Sequence, residues 1–340
     1  MAMEKTGSIE LGDAGGASVR STITTVKLLV ALCSDSDCIP DTWYMHVPAR
    51  TLAKMEARME KLKPKQEQDG DDEGRDGGGG GDGDGEGEGE GEGEKALRMD
   101  WASCYVPYHD EDAHFGHDGP GVVGVADGVG GFRRYCKDAG AFARGLMTSA
   151  LAQVVAMEPG TPVCPYALLE RAYDETVESG APGASTAVIL SLAGDVLKWA
   201  YIGDSGFAVL RGGKVVECSV PQQEHFNAPY YLRRGGGKSI TEVKASEMRV
   251  RNGDVVVAGT DGLFDNMSDA DLEKIVQIGT ALGFSSRTMA DVIGGAAFEM
   301  SRCTGKDSPF AVESWKQERV ERHRYGGKAD DITVVVARIL

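Results

Sequence analysis

Val122-Val-Gly-Val-Ala-Asp-Gly-Val-Gly-Gly131 is the stretch on which the reading of this chain turns. Val122 to Ala126 is short, apolar and rich in β-branched residues, as a buried strand is, and it stops on Asp127-Gly128. The same junction recurs downstream. Val255-Val-Val-Ala-Gly-Thr260 runs into Asp261-Gly-Leu-Phe-Asp265-Asn266, and Tyr201-Ile-Gly203 runs into Asp204-Ser205. Lys328-Ala-Asp330-Asp331 comes immediately before Ile332-Thr-Val-Val-Val336. Each junction alone is ordinary turn chemistry, because Asp bonds its own backbone and Gly accepts positive φ. Acids at the ends of the most hydrophobic strands are a different matter, since strand ends are rigid and can aim carboxylates at one point.

Outward from these junctions, the chain from Lys95 to Leu340 alternates short strands with helices. Thr186–Leu192, Leu197–Ile202, Ala208–Arg211, Asp254–Gly259 and Ile332–Ile339 join Val122–Ala126 as predicted strands. Ala139–Met157, Pro165–Glu178, Asp269–Thr280 and Ser286–Ser301 are predicted helices. Two groups of strands with helix pairs between them predict an α+β fold, sheet packed on sheet with helices outside, rather than a doubly wound parallel sheet. Neighbouring strands are expected to pair as hairpins, for instance Leu197–Ile202 with Phe207–Arg211.

Composition bounds the rest. At 340 residues and 41% hydrophobic, the chain can build a sizeable core. Its net charge of −17 is concentrated. Residues 67–94 carry thirteen Asp/Glu against Arg75 alone, so −12 belongs to this tract and −5 to everything else. Asp69 to Glu94 is Gly/Asp/Glu low complexity and predicts a disordered acidic insertion. Residues 1–68 read as an N-terminal extension packed on the main domain, with a strand at Val26–Leu32 and a helix at Ala49–Lys63 whose apolar stripe is Leu52, Met55, Met59 and Leu62. Residues 95–340 read as the main domain. Clustered Lys/Arg for counterion displacement is absent, which argues against nucleic-acid binding. No apolar run reaches the length of a transmembrane helix. Seven cysteines without a C-x-x-C pair read as reduced thiols.

Converging carboxylates repel one another unless cations neutralise them. An all-oxygen set suits Mg²⁺ or Mn²⁺ rather than zinc or copper, and two such ions can share and acidify a water that attacks phosphorus. Two other readings fail. His109, His114 and His117 match no common zinc spacing and lack neighbouring cysteines. Asp127-Gly-Val-Gly-Gly-Phe132 is not a dinucleotide fingerprint, because the third glycine of that motif would fall at Arg133 and no βαβ unit follows.

Gly124-Val-Ala-Asp-Gly-Val-Gly-Gly131, Gly203-Asp-Ser205, Thr260-Asp-Gly-Leu-Phe-Asp-Asn266 and Gly327-Lys-Ala-Asp-Asp-Ile-Thr333, in that order, resemble the motifs of the type 2C serine/threonine protein phosphatases over about residues 100–340. Gln223-Glu-His-Phe-Asn-Ala-Pro-Tyr-Tyr-Leu232 and Ser308-Pro-Phe310 resemble an organelle branch that includes the plant photosystem II core phosphatase and T-cell-activation-phosphatase relatives. The resemblance implies a four-layer α-β-β-α sandwich with a binuclear Mn²⁺ or Mg²⁺ site at one edge. It implies direct attack on phosphoserine and phosphothreonine by a water bridging the two metals. Carried over, Asp127 resembles the acid that bridges both metals, Gly128 the carbonyl ligand, and Asp261 and Asp330 the other direct ligands. Glu111 and Asp112 resemble the acidic pair that contacts metal-bound water, and Asp204 and Asp265 the acids of a weaker third metal.

Two places depart from that pattern. Val129 stands where many members have the histidine general acid, and Pro107 where many have the phosphate-holding arginine. A metal-bound water, His109 or His114 are the replacements considered for the acid. The resemblance implies phosphoprotein substrates for a monomeric enzyme; the alternative is a catalytically weak phosphoprotein-binding adaptor. The N-terminus, with Glu4, Glu10 and Asp13, is unlike a signal peptide or organelle presequence and points to cytoplasm or nucleus, whereas the branch resemblance points to chloroplast or mitochondrion if a transit peptide has been removed.

Overall fold

The apolar strands are continuous in hydrophobicity because both of their faces are covered. The computed structural model describes residues 97–318 and 326–340. In chain order its strands begin with β1 Met99–Val106, β2 Asp112–His117, β3 Val122–Asp127, β4 Ala187–Ala193, β5 Val196–Ile202, β6 Gly206–Arg211 and β7 Lys214–Cys218. There follow the short β8 Gln223–His225, β9 Ala228–Pro229, β10 Leu232–Arg233 and β11 Gly236–Gly237, then β12 Lys244–Arg249, β13 Val255–Gly259 and β14 Ile332–Ile339. The helices are α1 Ala141–Ala156, α2 Pro165–Glu178, the single-turn α3 Asp261–Phe264, α4 Asp269–Leu282, α5 Ser286–Arg302 and α6 Pro309–Glu318.

Two five-stranded antiparallel sheets carry the core, one in the order β1-β14-β13-β6-β7, the other β12-β5-β4-β3-β2. Alternation along each strand sends side chains to two different cores. On β14, Val335, Ala337 and Ile339 meet Val123 and Val125 of β3 and Val188 and Leu190 of β4 between the sheets. Ile332, Val334 and Val336 on its other face pack with Leu272, Ile275, Val292 and Ile293 of α4 and α5. On β3, Val122 and Ala126 pack outward against Phe142, Leu146, Leu168 and Leu169 of α1 and α2. The order is therefore helices, sheet, sheet, helices. Each fully buried Val or Leu contributes about 1.5–3 kcal/mol, so the three inner strands of each sheet anchor the ends that matter below. Local signals fix the helix ends: Pro165 opens α2, a Ser268/Asp271 capping box opens α4, and left-handed Gly283 closes it.

One expectation is corrected. Leu197–Ile202 and Phe207–Arg211 do not form a hairpin. β5 pairs with β4 and β12 in one sheet, whereas β6 pairs with β13 and β7 in the other. Gly203, at φ +95°, takes the chain across the gap between the sheets, and the Trp199 and Phe207 rings then face each other 5.0 Å apart inside the sandwich. Both strands are apolar on two faces, and only a crossing covers all of those faces. Strands β1, β2 and β7 to β12 and helices α3 and α6 add to the predicted set. The strand at Val26–Leu32, the helix at Ala49–Lys63, the N-terminal extension and the acidic insertion lie outside the described residues.

Candidate metal centre

Register places the first two acids. Asp112 on β2 is paired directly opposite Asp127 on β3, so both carboxylates leave the same face at the same end of the sheet. The other sheet contributes from adjacent strands: β13 ends at Gly259, just before Thr260-Asp261, and β14 starts just after Asp330-Asp331. Asp204 sits in the crossing between β5 and β6, and Asp265 follows α3. Gly128 continues β3 through an antiparallel bridge to Ser185, and its amide donates to Glu111 O at 3.1 Å. A Cβ at Gly128 would lie 2.8 Å from the carbonyl oxygens of Ala139 and Glu111, so no larger residue fits.

Each acid has a distinct environment. Asp112 Oδ2 accepts from Thr260 Oγ1 at 2.8 Å and Thr333 Oγ1 at 2.7 Å, while its buried Oδ1 has no partner. Asp261 Oδ2 accepts from Lys328 Nζ, and its buried Oδ1 also has no partner. Lys328 Nζ further contacts Asp265 Oδ2 at 2.8 Å and Asp330 Oδ2 at 3.3 Å. Gln223 Nε2 donates to Asp204 Oδ2 at 2.8 Å. Glu111 accepts a two-pronged bond from Arg133, Nε to Oε1 and Nη2 to Oε2, each 2.5 Å.

Asp331 does something else. Its Oδ1 accepts from the amides of Tyr108, His109 and Asp110, and its Oδ2 from Glu111 N, moulding the 108–111 turn that delivers Glu111. His109, Asp330 and Asp331 bring one ligand atom each within 4.8 Å, and His109 Nδ1 is 3.7 Å from Asp330 Oδ1. Because four amides occupy the Asp331 oxygens, that trio is not an open coordination set.

Burial drives the electrostatics. It pushes the Asp127 carboxyl well up, and the charges of Asp112, Asp261, Asp330 and Asp204 push it further. Asp112 is also raised by burial, against the opposing hydroxyls of Thr333 and Thr260. Burial and then the Asp261 charge lift Asp204 to about 7 and Asp265 to about 8; the same two causes raise Asp330. For Lys328, burial opposes the charged form, but Asp261, Asp265 and Asp330 outweigh it and hold the ammonium protonated. Asp331 goes the other way: burial opposes ionisation, and the four amides overcome it and lower its pKa. Unpartnered buried carboxylate oxygens, mutually repelling acids and a cation already drawn to three of them form a donor set that fits hard divalent ions.

The structure thus places all eight candidate residues, Glu111, Asp112, Asp127, Gly128, Asp204, Asp261, Asp265 and Asp330, along one edge of the sandwich. Sequence reasoning missed Arg133, Lys328 and the holding role of Asp331. An arginine directly after Asp-Gly-Val-Gly-Gly-Phe was the available signal for the first. His114 lies on β2, where its ring is 6.3 Å from that of Tyr105 and burial lowers its pKa.

A sandwich of two antiparallel sheets with acids from both gathered at one edge has close counterparts among known proteins. The chain is 71% identical over 249 residues to a rice (Oryza sativa subsp. japonica) protein that carries the name protein phosphatase 2C 23, an alignment spanning 72% of this chain and 76% of that one. It is 53% identical over 248 residues to a second rice protein, 2C 24, spanning 72% and 78%. The X-ray structure of the photosystem II phosphatase PBCP superposes with a TM-score of 0.64 at 27% identity, covering 71% of this chain and 99% of that one. The catalytic domain of the serine/threonine protein phosphatase PstP, solved with two manganese ions, shares the fold at a TM-score of 0.50 and 21% identity over 72% of this chain and 99% of that one. No protein-family model matches the chain. The chain belongs to the protein phosphatase 2C family, and its enzyme class is therefore that of a protein phosphatase.

Proposed function

We propose that this phosphatase removes phosphate from phosphoserine and phosphothreonine in proteins, with two divalent ions, Mn²⁺ or Mg²⁺, held by Asp127, Gly128, Asp261 and Asp330. The observation that carries this reading is the buried Asp127 carboxyl with the charges of four other aspartates bearing on it, a costly arrangement that cations relieve. Bound there, the ions would supply Lewis acidity and a water of lowered pKa. Glu111 and Asp112 are assigned to coordinated water, and Asp204 and Asp265 to a weaker third ion beside Lys328.

The chain's own residues do the remainder. Arg133 supplies the guanidinium that Pro107 does not: braced by Glu111 and with its side chain 46% exposed, it can hold phosphate oxygens with a forked donor set. His109 is favoured over His114 for protonating the leaving oxygen, because its Nδ1 lies 3.7 Å from Asp330 Oδ1, whereas the His114 ring, two residues along β2 from Asp112, lies beside Tyr105.

Purified full-length chain is expected to hydrolyse a phosphothreonine peptide in a saturable, Mn²⁺-dependent manner and to stop when EDTA is added. Calorimetric Mn²⁺ titration of Asp127→Asn is expected to show loss of the tight sites. Retained phosphopeptide binding with no turnover would replace the enzyme reading with the adaptor one.

A further inference from the structure

We propose that a cleft beside the metal centre recognises acidic residues flanking the phosphorylated side chain, so that the preferred substrates are phosphopeptides with an acidic flank. This rests on the phosphatase reading above.

The five-residue 3₁₀ turn Gly130–Arg134 is the partition between the two places. On one side, Arg133 reaches Glu111 at the acid cluster. On the other, Phe132 lines a cleft of about 650 Å³ together with Tyr135, Pro182, Tyr231, Arg233 and Arg234. The cleft is tied to the metal edge by backbone: Val129 N donates to Ala184 O at 2.9 Å, and Ser185 exchanges 2.9 Å bonds with Leu232, the residue before Arg233.

Three observations give the chemistry of the occupant. The lining contains two arginines and no Asp or Glu, in a chain whose net charge is −17. Neither Arg233 nor Arg234 has a carboxylate partner among the described residues, although Arg133, Arg144, Arg211 and Arg249 each have one. The Arg233 guanidinium is held 5.0 Å over the Phe132 ring, which itself meets Tyr231 edge-on at 5.5 Å, so the cation is posed on a rigid aromatic wall. Tyr135, 78% exposed, adds an apolar rim. Arg233 on its aromatic support and Arg234 beside it, neither with a carboxylate partner among the described residues, are suited to carboxylates, which arginines can bind through two parallel bonds. An extended peptide advances at most about 3.3–3.6 Å per residue. A phosphoresidue at Arg133 therefore sets its near neighbours in sequence over Phe132 and into the cleft.

The test uses the full chain with Mn²⁺ and three phosphothreonine peptides that differ only in flank: a Glu pair before the phosphoresidue, a Glu pair after it, or Lys pairs on both sides. One Glu peptide is expected to exceed the Lys peptide by about fivefold in kcat/KM, through KM, the gap narrowing as salt is added. In Arg233→Glu/Arg234→Glu the order of the same two peptides should reverse; taking the ratio within the variant cancels any general loss of turnover. If that variant does not fold, Arg233→Gln/Arg234→Gln is expected to bring the ratio near one. Equal KM values in the wild type, or a ratio unchanged in the variants, would overturn the proposal. Wild-type turnover of p-nitrophenyl phosphate without flank preference would sink the cleft alone, and absence of turnover on every substrate would sink the phosphatase reading beneath it.

Discussion

Asp330 and Asp331 are neighbours in sequence with opposite duties. Asp330 faces Lys328 and His109, while Asp331 accepts four backbone amides and fixes the turn that presents Glu111. Bonds from amides to a charged acceptor are worth more than neutral ones, so Asp331→Ala is expected to lower stability by about 3 kcal/mol, read from urea midpoints. The same carboxylate stabilises the fold above its unfolded pKa, and that contribution disappears as pH falls through its lowered folded value. Asp261→Asn should behave differently. It keeps shape and the hydrogen bond from Lys328 but loses a charge at the acid cluster, so turnover is expected to fall about a hundredfold or more while circular dichroism is unchanged. Wild-type rates in that variant would refute the assignment of Asp261 as a ligand.

At the level of elements, the site depends on how tightly α3 is pressed against the start of β14. A Cβ at Gly262 would lie 2.0 Å from the carbonyl oxygen of Asp331, which belongs to the backbone and cannot swing aside. Gly262→Ala is therefore expected to cost about 1–3 kcal/mol and to weaken Mn²⁺ binding, because Asp261 is the preceding residue. At Gly131 an added Cβ meets nothing within 4 Å, so Gly131→Ala is the comparison and should leave the melting temperature near that of the wild type. Equal melting temperatures for the two variants would show that the α3–β14 contact can relax. The same close packing explains why Asp127, Asp261 and Asp330 can converge: each ends or precedes a strand locked on both sides by its neighbours.

For the whole molecule, the acid cluster sets a pH dependence. Asp204 and Asp265 titrate at about 7 and about 8, above their ordinary value of 3.8. Between those limits the native state holds protons that the unfolded chain has released. Stability in EDTA is therefore expected to fall as pH rises from about 4 to about 8. Divalent ions bind the deprotonated acids, so added Mn²⁺ should raise the melting temperature more at pH 8 than at pH 5. Thermal melts at both pH values with and without Mn²⁺ measure this; an Mn²⁺ effect independent of pH would contradict it.

The strand runs and the acids at their ends were legible because burial on both faces makes a strand hydrophobic throughout, and because Asp-Gly junctions are local. Those two signals pointed to the α+β sandwich and to acids at strand ends, Asp127, Asp204, Asp261 and Asp330, whereas the choice of Asp127, Asp261 and Asp330 as direct ligands came from the resemblance to the type 2C phosphatases. Edge strands were less visible: in β2 only Asp112 and Phe115 are buried, and β7 alternates exposed and half-exposed residues, so hydrophobicity did not mark them. The sheet to which β6 belongs was decided by covering two apolar faces at once, a requirement no local window contains. Arg133 meets Glu111 across 22 residues, Lys328 meets Asp261 across 67, and Asp331 meets the 108–111 turn across more than 200. Charge pairing at such separations is an outcome of packing, and only the tertiary structure decided which cations stand beside the carboxylates that the sequence had already placed at the strand ends.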